Sequence, residues 1–144
     1  MSLTDQLIQH EGLRLKPYRD SVGKLTIGVG RNLDDRGITE SEALILLEND
    51  ILTASYDLVA AFPFVLDMDN ARYEVLVNMC FNMGITRLKG FKRMWRYLEV
   101  GNYTMAAYEM LDSRWAKQVG SRAEELAEIM EHGGNKKPRR GGAL

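Results

Sequence analysis

The sequence predicts an α+β protein weighted heavily to α, with a small antiparallel hairpin lobe and a helical lobe joined by a long helix. Three observations carry this. Residues 13–30 hold a short alternating run, a turn at Ser21-Val22-Gly23-Lys24, and a second run at Leu25-Thr26-Ile27 leading into Gly28-Val29-Gly30. Thr39 and Glu42 form a capping box that opens a long helical pattern. From residue 39 onward only helical periodicity is visible.

The elements follow in order. Leu3, Leu7 and Ile8 sit at helical spacing and Gly12 is a natural stop, so a first helix spans 3–11 with Glu11 in its last turn. The helix end and the hairpin should face one another as the wall of a cleft. Asn32 to Gly37 reads as a turn. The long helix should run to about Ala60, with Leu44, Leu47, Ile51, Ala54 and Leu58 on one stripe, and end at Phe62-Pro63. Asp69 or Asn70 caps the next helix. Its Ala71, Val75, Leu76, Met79 and Cys80 make it apolar over most of its circumference, so it is the expected central buried helix. Short helices should follow at about 85–89, 92–100, 103–111, 114–119 and 122–131, the last opened by a second capping box at Ser121 and Glu124.

Length and charge narrow the function. The 144 residues suit one domain over 1–131, with a hairpin lobe at about 13–37 and a helical lobe at about 60–131 plus helix 3–11. Residues 132–144 should form a flexible basic tail, with Lys136, Lys137, Arg139 and Arg140 and no acid. That tail reads as a solubilising end or a vector remnant, or as a segment touching anionic polymer or lipid. The remainder holds 15 basic against 20 acidic residues, or −5, which argues against nucleic-acid binding. No apolar run approaches the roughly 18 residues that cross a bilayer, so no stable membrane insertion is expected. The start, MSLTDQLIQHEG, lacks the pattern of a signal peptide. Cys80 is the single cysteine, which suits a reducing cytosol, and inside an apolar helix it reads as a small filler. His10, Cys80 and His132 are too scattered for a metal site, and Gly28-Val29-Gly30 lacks the third glycine of a dinucleotide loop. No metal or cofactor is expected. Trp95 and Tyr97 read as core.

The candidate chemistry lies in Glu11, Asp20 and Thr26. Cleaving a glycosidic bond needs two carboxyl groups in different protonation states: one protonates the leaving oxygen, the other supports an oxocarbenium-like transition state. Glu11 at a helix C-terminus faces the negative end of the macrodipole, which disfavours ionisation, although an arginine nearby would push the other way. Asp20, opening a turn, should be more solvated and stay ionised. Thr26 offers a hydroxyl to hold a water against it. The same residues also have plain uses, since Asp20-Ser21 is a good turn opener and Thr26 a good strand residue. Spacing alone does not choose.

The wording of the stretch does. Glu11-Gly12-Leu13-Arg14-Leu15-Lys16, Tyr18, Asp20, Gly23 and Thr26-Ile27-Gly28-Val29-Gly30 closely resemble the active-site segment of the T-even-type phage lysozymes, the endolysins of glycoside hydrolase family 24. Glu, eight residues, Asp, five residues, Thr is that family's pattern, matched without a gap. Ile38-Thr39 with Glu42-Ala43, then Asn78-Met79, Phe81, Met83-Gly84, Gly90-Phe91, Ser113-Arg114-Trp115, Gln118 and Arg122-Ala123 are collinear, individually weaker matches. The resemblance covers roughly 1–131.

It implies a lysozyme-like two-lobed fold and hydrolysis of the β-1,4 bond between N-acetylmuramic acid and N-acetylglucosamine in peptidoglycan, for host cell lysis. Glu11 would be the proton donor, with Asp20 and Thr26 positioning water from the opposite face to give inversion. Arg122 would lie near Glu11, and Trp115, in the matched Ser113–Arg122 segment, has a better case for stacking on a sugar than Trp95 or Tyr97. Asn32, Phe81, Gln118 and Arg122 would be substrate-binding, although Phe81 also fits plain core. A monomer is implied, waiting in the host cytoplasm until a holin releases it to the wall. A lytic transglycosylase and a non-catalytic peptidoglycan-binding protein of the same fold are the alternatives. Three departures stand out. The segment after Asn32 is short. Met94 and Glu109 replace small polar saccharide contacts. Arg31 replaces a family histidine that pairs with an acid corresponding to Asp50, so an Arg31–Asp50 ion pair is expected.

Overall fold

A computed structural model describes residues 1–134. The expected basic tail at 132–144 therefore falls outside the described residues, except that His132 ends the last helix and Gly133-Gly134 form a turn. The chain divides into two compact units, Met1–Leu47 and the part from Glu48 onward.

The first unit opens with α1, Leu3–Glu11. Ser2 caps its start by accepting from the Asp5 N–H, and Gly12 ends it at φ 81, with its N–H on the Ile8 carbonyl. A positive φ of this kind is where glycine avoids a Cβ clash. The sheet has order β1 (Arg14–Arg19), β2 (Leu25–Gly28), β3 (Arg31–Asn32), antiparallel throughout. The expected hairpin thus gains a third strand. Two residues, Val29 and Gly30, turn the chain back, too short a link and too short a strand to show as alternation. Tyr18 pairs with Thr26 and Arg19 with Leu25, but the register shifts between Arg14 and Tyr18. Pro17 lies in that interval and has no N–H to give the ladder.

The Thr39–Glu42 capping box forms as expected: Glu42 N–H donates to Thr39 Oγ1 at 3.1 Å, and Thr39 N–H to Glu42 Oε1 at 2.9 Å. It opens α2, Glu40–Ala61. Glu42 also receives Arg31 through both terminal nitrogens, at 2.8 and 2.6 Å. This corrects the expected Arg31–Asp50 pair. Arg31 is two-pronged and Glu42 is already fixed in orientation by the cap, so its two oxygens meet the planar fork. Arg31, then the Thr39 N–H, hold the Glu42 carboxyl down to about 2. A depressed folded-state value means the stabilisation is present above the ordinary carboxylate range and is lost as pH falls towards about 2. Glu42→Gln should therefore lower the thermal midpoint at neutral pH, by less and less as pH drops from about 5 to about 2. A constant difference across that range, in melts followed by circular dichroism, would remove the pair from the stability account.

Of the expected α2 stripe, Ala54 and Leu58 in the second unit are buried, while Leu44 and Leu47 in the first unit and Ile51 in the second are exposed. Phe62-Pro63 ends α2 as expected, and a 3₁₀ turn, Pro63–Asp67, follows. Asp69 caps α3, Asn70–Met83, by accepting from the Arg72 N–H. With Val75, Leu76, Val77, Met79, Cys80 and Met83 buried, α3 is the core helix that its composition predicts. Then come α4 (Ile85–Lys89), α5 (Lys92–Glu99), α6 (Tyr103–Leu111), α7 (Arg114–Val119) and α8 (Ser121–His132). Among the described residues no strand follows residue 39 and no helix is long and apolar enough to cross a membrane. The second capping box does not form. Gly120, at φ 62, both ends α7 and occupies the cap position of α8, so Ser121 is already helical. α8 packs on α3 and α6. Arg72 fastens its far end, donating to the carbonyls of Met130 at 2.6 Å and Glu131 at 2.8 Å while stacking on Tyr103.

Candidate active site

The three candidate catalytic residues all belong to the first unit. Asp20 closes the β1–β2 turn: its Oδ1 accepts the N–H groups of Val22 at 3.0 Å and Lys24 at 2.8 Å. Among the described residues its Oδ2 takes part in no hydrogen bond, so one carboxylate oxygen is held and the other is free to accept. Thr26 is buried in the middle strand, at 3% exposure, where it pairs with Tyr18 on one side and Asn32 on the other. Its hydroxyl donates to the Lys24 carbonyl at 2.9 Å. That commits the hydroxyl proton, so towards a water Thr26 Oγ1 acts as an acceptor. Turn and strand are further braced by the loop after β3. The Leu25 N–H donates to Asp34 at 2.7 Å and Lys24 Nζ pairs with Asp35 at 3.0 Å.

Glu11 reaches the sheet through Gly30. A Cβ built at Gly30 would stand 3.1 Å from both the carboxyl carbon and Oε1 of Glu11. The acid therefore lies against the backbone of the β2–β3 turn, the link next to the strand that carries Thr26. The Gly28-Val29-Gly30 run is plain in the sequence, but nothing there marks Gly30 as this seat. At φ 69 the position also strains any residue with a Cβ. Gly30→Ala should cost about 1–2 kcal/mol in a urea melt and lower activity roughly ten- to a hundred-fold by displacing the acid. Gly37→Ala supplies the control. Its φ is 65 but a Cβ there meets nothing within 4 Å, so stability should fall alike with activity kept. Equal activity losses in the two variants would disprove the seat.

The candidate substrate residues are spread over both units. Asn32 is tied to its own loop, with Nδ2 donating to Asp35 at 3.1 Å and Oδ1 accepting the Asp35 N–H at 3.0 Å. In the second unit, Phe81 is 44% exposed and so is not core. It borders a hollow of about 370 Å³ with Asp50, Thr53, Asp57 and Cys80. Gln118 Oε1 accepts from Arg87 at 3.0 Å. Arg122 grips Asn78 Oδ1 with Nε at 3.1 Å and Nη2 at 2.7 Å. Trp115 is a correction: it is buried and spends its indole N–H on Asn82 at 2.7 Å, so it packs rather than stacks on a sugar. Trp95 is core as expected, stacked on Phe62 at 3.6 Å between ring centroids. Met94 is fully buried and, with Glu109, Lys92, Arg93 and Asp112, lines a hollow of about 280 Å³. Burial pushes the Cys80 thiol up, which suits an inert filler.

Comparison with known proteins adds an independent line. A family model described as phage lysozyme matches residues 8–131. The chain is 28% identical to the probable T4-type lysozyme 1 of Dictyostelium discoideum, over 92% of this chain and 95% of that protein. It is 30% identical to an endolysin of Acyrthosiphon pisum secondary endosymbiont phage 1, over 79% of this chain and 78% of that one. It is also 27% identical to the pre-baseplate central spike protein Gp5 of Enterobacteria phage T4, over 90% of this chain but 28% of the spike protein.

Proposed function

The chain belongs to the phage lysozyme family and is a glycoside hydrolase of lysozyme type, and from that premise we propose that it cuts the β-1,4 bond between N-acetylmuramic acid and N-acetylglucosamine, with Glu11 as proton donor and Asp20 and Thr26 holding the attacking water. The observation that carries this is the Glu11 carboxyl lying against Gly30, beside the strand that bears Thr26.

The division of labour follows from hydrogen-bond capacity. Glu11 in its acid form gives its proton to the leaving oxygen, and the C–O bond breaks as positive charge builds on the sugar. A water approaches the anomeric carbon. Asp20 accepts one of its protons and Thr26, whose own proton is spent on Lys24, accepts the other. Both water protons are then turned away from the sugar and a lone pair towards carbon. Asp20 takes the proton that the water loses, and the product inverts. Asn32, Phe81, Gln118 and Arg122 would contact the glycan, with the exposed Phe81 ring offering the apolar face of a sugar a platform.

Digestion of purified peptidoglycan tests this. Mass spectrometry should show ordinary reducing-end N-acetylmuramic acid, and proton NMR of fresh product should show the α anomer first. An anhydro end, lighter by one water, would make the enzyme a lytic transglycosylase. Binding without release would leave a wall-binding protein. For host lysis, supported by the endolysin relative, the chain acts as a monomer kept in the cytoplasm until a holin opens the inner membrane. Cytosolic expression should then clear a culture only when a holin is expressed with it.

A further inference from the structure

On the second unit, α6 and α8 bound a groove of about 440 Å³ that the catalytic reading does not use. Its floor is small and apolar, Ala107 and Ala127, and on the α6 side Tyr108 and Leu111 are exposed. Its α8 rim carries Glu124, Glu128 and Glu131, with His132 at the end. Those glutamates recur at helical spacing over roughly 10 Å, so like charges stand side by side, and among the described residues no lysine or arginine lines the groove. The surface asks for an extended cationic segment with some apolar stem.

The chain carries one immediately beyond this helix. Gly133, at φ 66, turns the backbone off α8 while its N–H closes on the Ile129 carbonyl at 2.7 Å. Residues 135–144, NKKPRRGGAL, follow with four cations and no acid. Ten residues span up to about 33 Å, ample for a return along three carboxylates. Lysine and arginine stems can lie over Tyr108 and Leu111 while their heads reach the rim, and an arginine plane suits the tyrosine face.

We propose that residues 135–144 seat in the α6–α8 groove of their own chain, with Lys136, Lys137, Arg139 and Arg140 against Glu124, Glu128 and Glu131. Seating withholds the basic segment from other polyanions, and raised salt or a competing polyanion releases it. This stands apart from the catalytic reading and survives its failure.

Carbodiimide cross-linking of the full chain, read by peptide mass spectrometry, tests the seat. Lys136 or Lys137 should join to Glu124, Glu128 or Glu131, with yield falling at least about five-fold in 1 M salt. An equal mixture of ¹⁴N and ¹⁵N protein should show these links within one chain. Links between copies would give the groove to a second molecule and overturn the proposal, as would links only to other carboxylates, or none. As a second measurement, neutralising the segment (Lys136→Gln, Lys137→Gln, Arg139→Gln, Arg140→Gln) should speed amide exchange along the groove faces of α6 and α8 about five-fold. Unchanged exchange would also overturn it.

Discussion

Glu11→Gln is expected to lower activity by at least about a thousand-fold while leaving the protein folded. Glutamine keeps the length and shape of the side chain, so it fits against Gly30 where the carboxyl lies now. It has no acidic proton, so the leaving oxygen departs unprotonated. Glu11 is exposed at the end of α1, and no hydrogen bond to its carboxyl is found among the described residues. A fold that does not lean on the carboxylate should lose no more than about 0.5 kcal/mol. Glu11→Asp separates reach from acidity. It keeps a proton but withdraws it by one methylene, and a displacement of that order costs about a hundred-fold. Clearing of chloroform-treated Gram-negative cells, paired with thermal melts of each variant, gives both quantities. A glutamine variant that clears cells within ten-fold of the parent would take the acid role away from this residue.

Much of the first unit was legible because its determinants are local. Gly12 stops α1 and Ser21–Lys24 turns the hairpin, while Thr39 and Glu42 open α2, all through backbone demands within four residues. Local rules fail where two of them compete for one position. Ser121 and Glu124 have the spacing of a capping box, yet Gly120 already serves both helices, so the serine never reaches the cap. They also fail where the partner is set by folding. The resemblance points Arg31 to Asp50, but Glu42, oriented by its own cap, takes both prongs of the fork. Trp115 shows the same limit from the other side. A tryptophan in a segment that resembles the family's active-site flank reads as a platform, and only the packing shows that Asn82 receives its indole N–H in the core. The catalytic candidates were legible by wording rather than by physics. Nothing in Glu, Asp and Thr at those spacings says that one acid will rest on Gly30, because that contact needs the third strand, which two residues cannot announce.

Asp20 offers the second large effect, and its two oxygens make the outcome readable. Oδ1 builds the turn by accepting two N–H groups, and Oδ2 is the oxygen left for a water. Asp20→Asn retains an acceptor for Val22 and Lys24, so the turn should persist. The second position becomes an NH₂ group, which donates where the carboxylate accepted. The water loses one of its two anchors and the base that would take its proton, and activity should fall by about a hundred- to a thousand-fold. Asp20→Ala removes both functions. The same activity loss should then come with about 1 kcal/mol of destabilisation, modest because water can reach the freed N–H groups of an exposed turn. The pair of variants therefore separates chemistry from architecture: asparagine should be inactive and stable, alanine inactive and weakened. If asparagine cleared cells like the parent while alanine melted early, Asp20 would be a turn residue alone. The water would then have to be held by Thr26 without a base, and the inverting route would lose its physical footing.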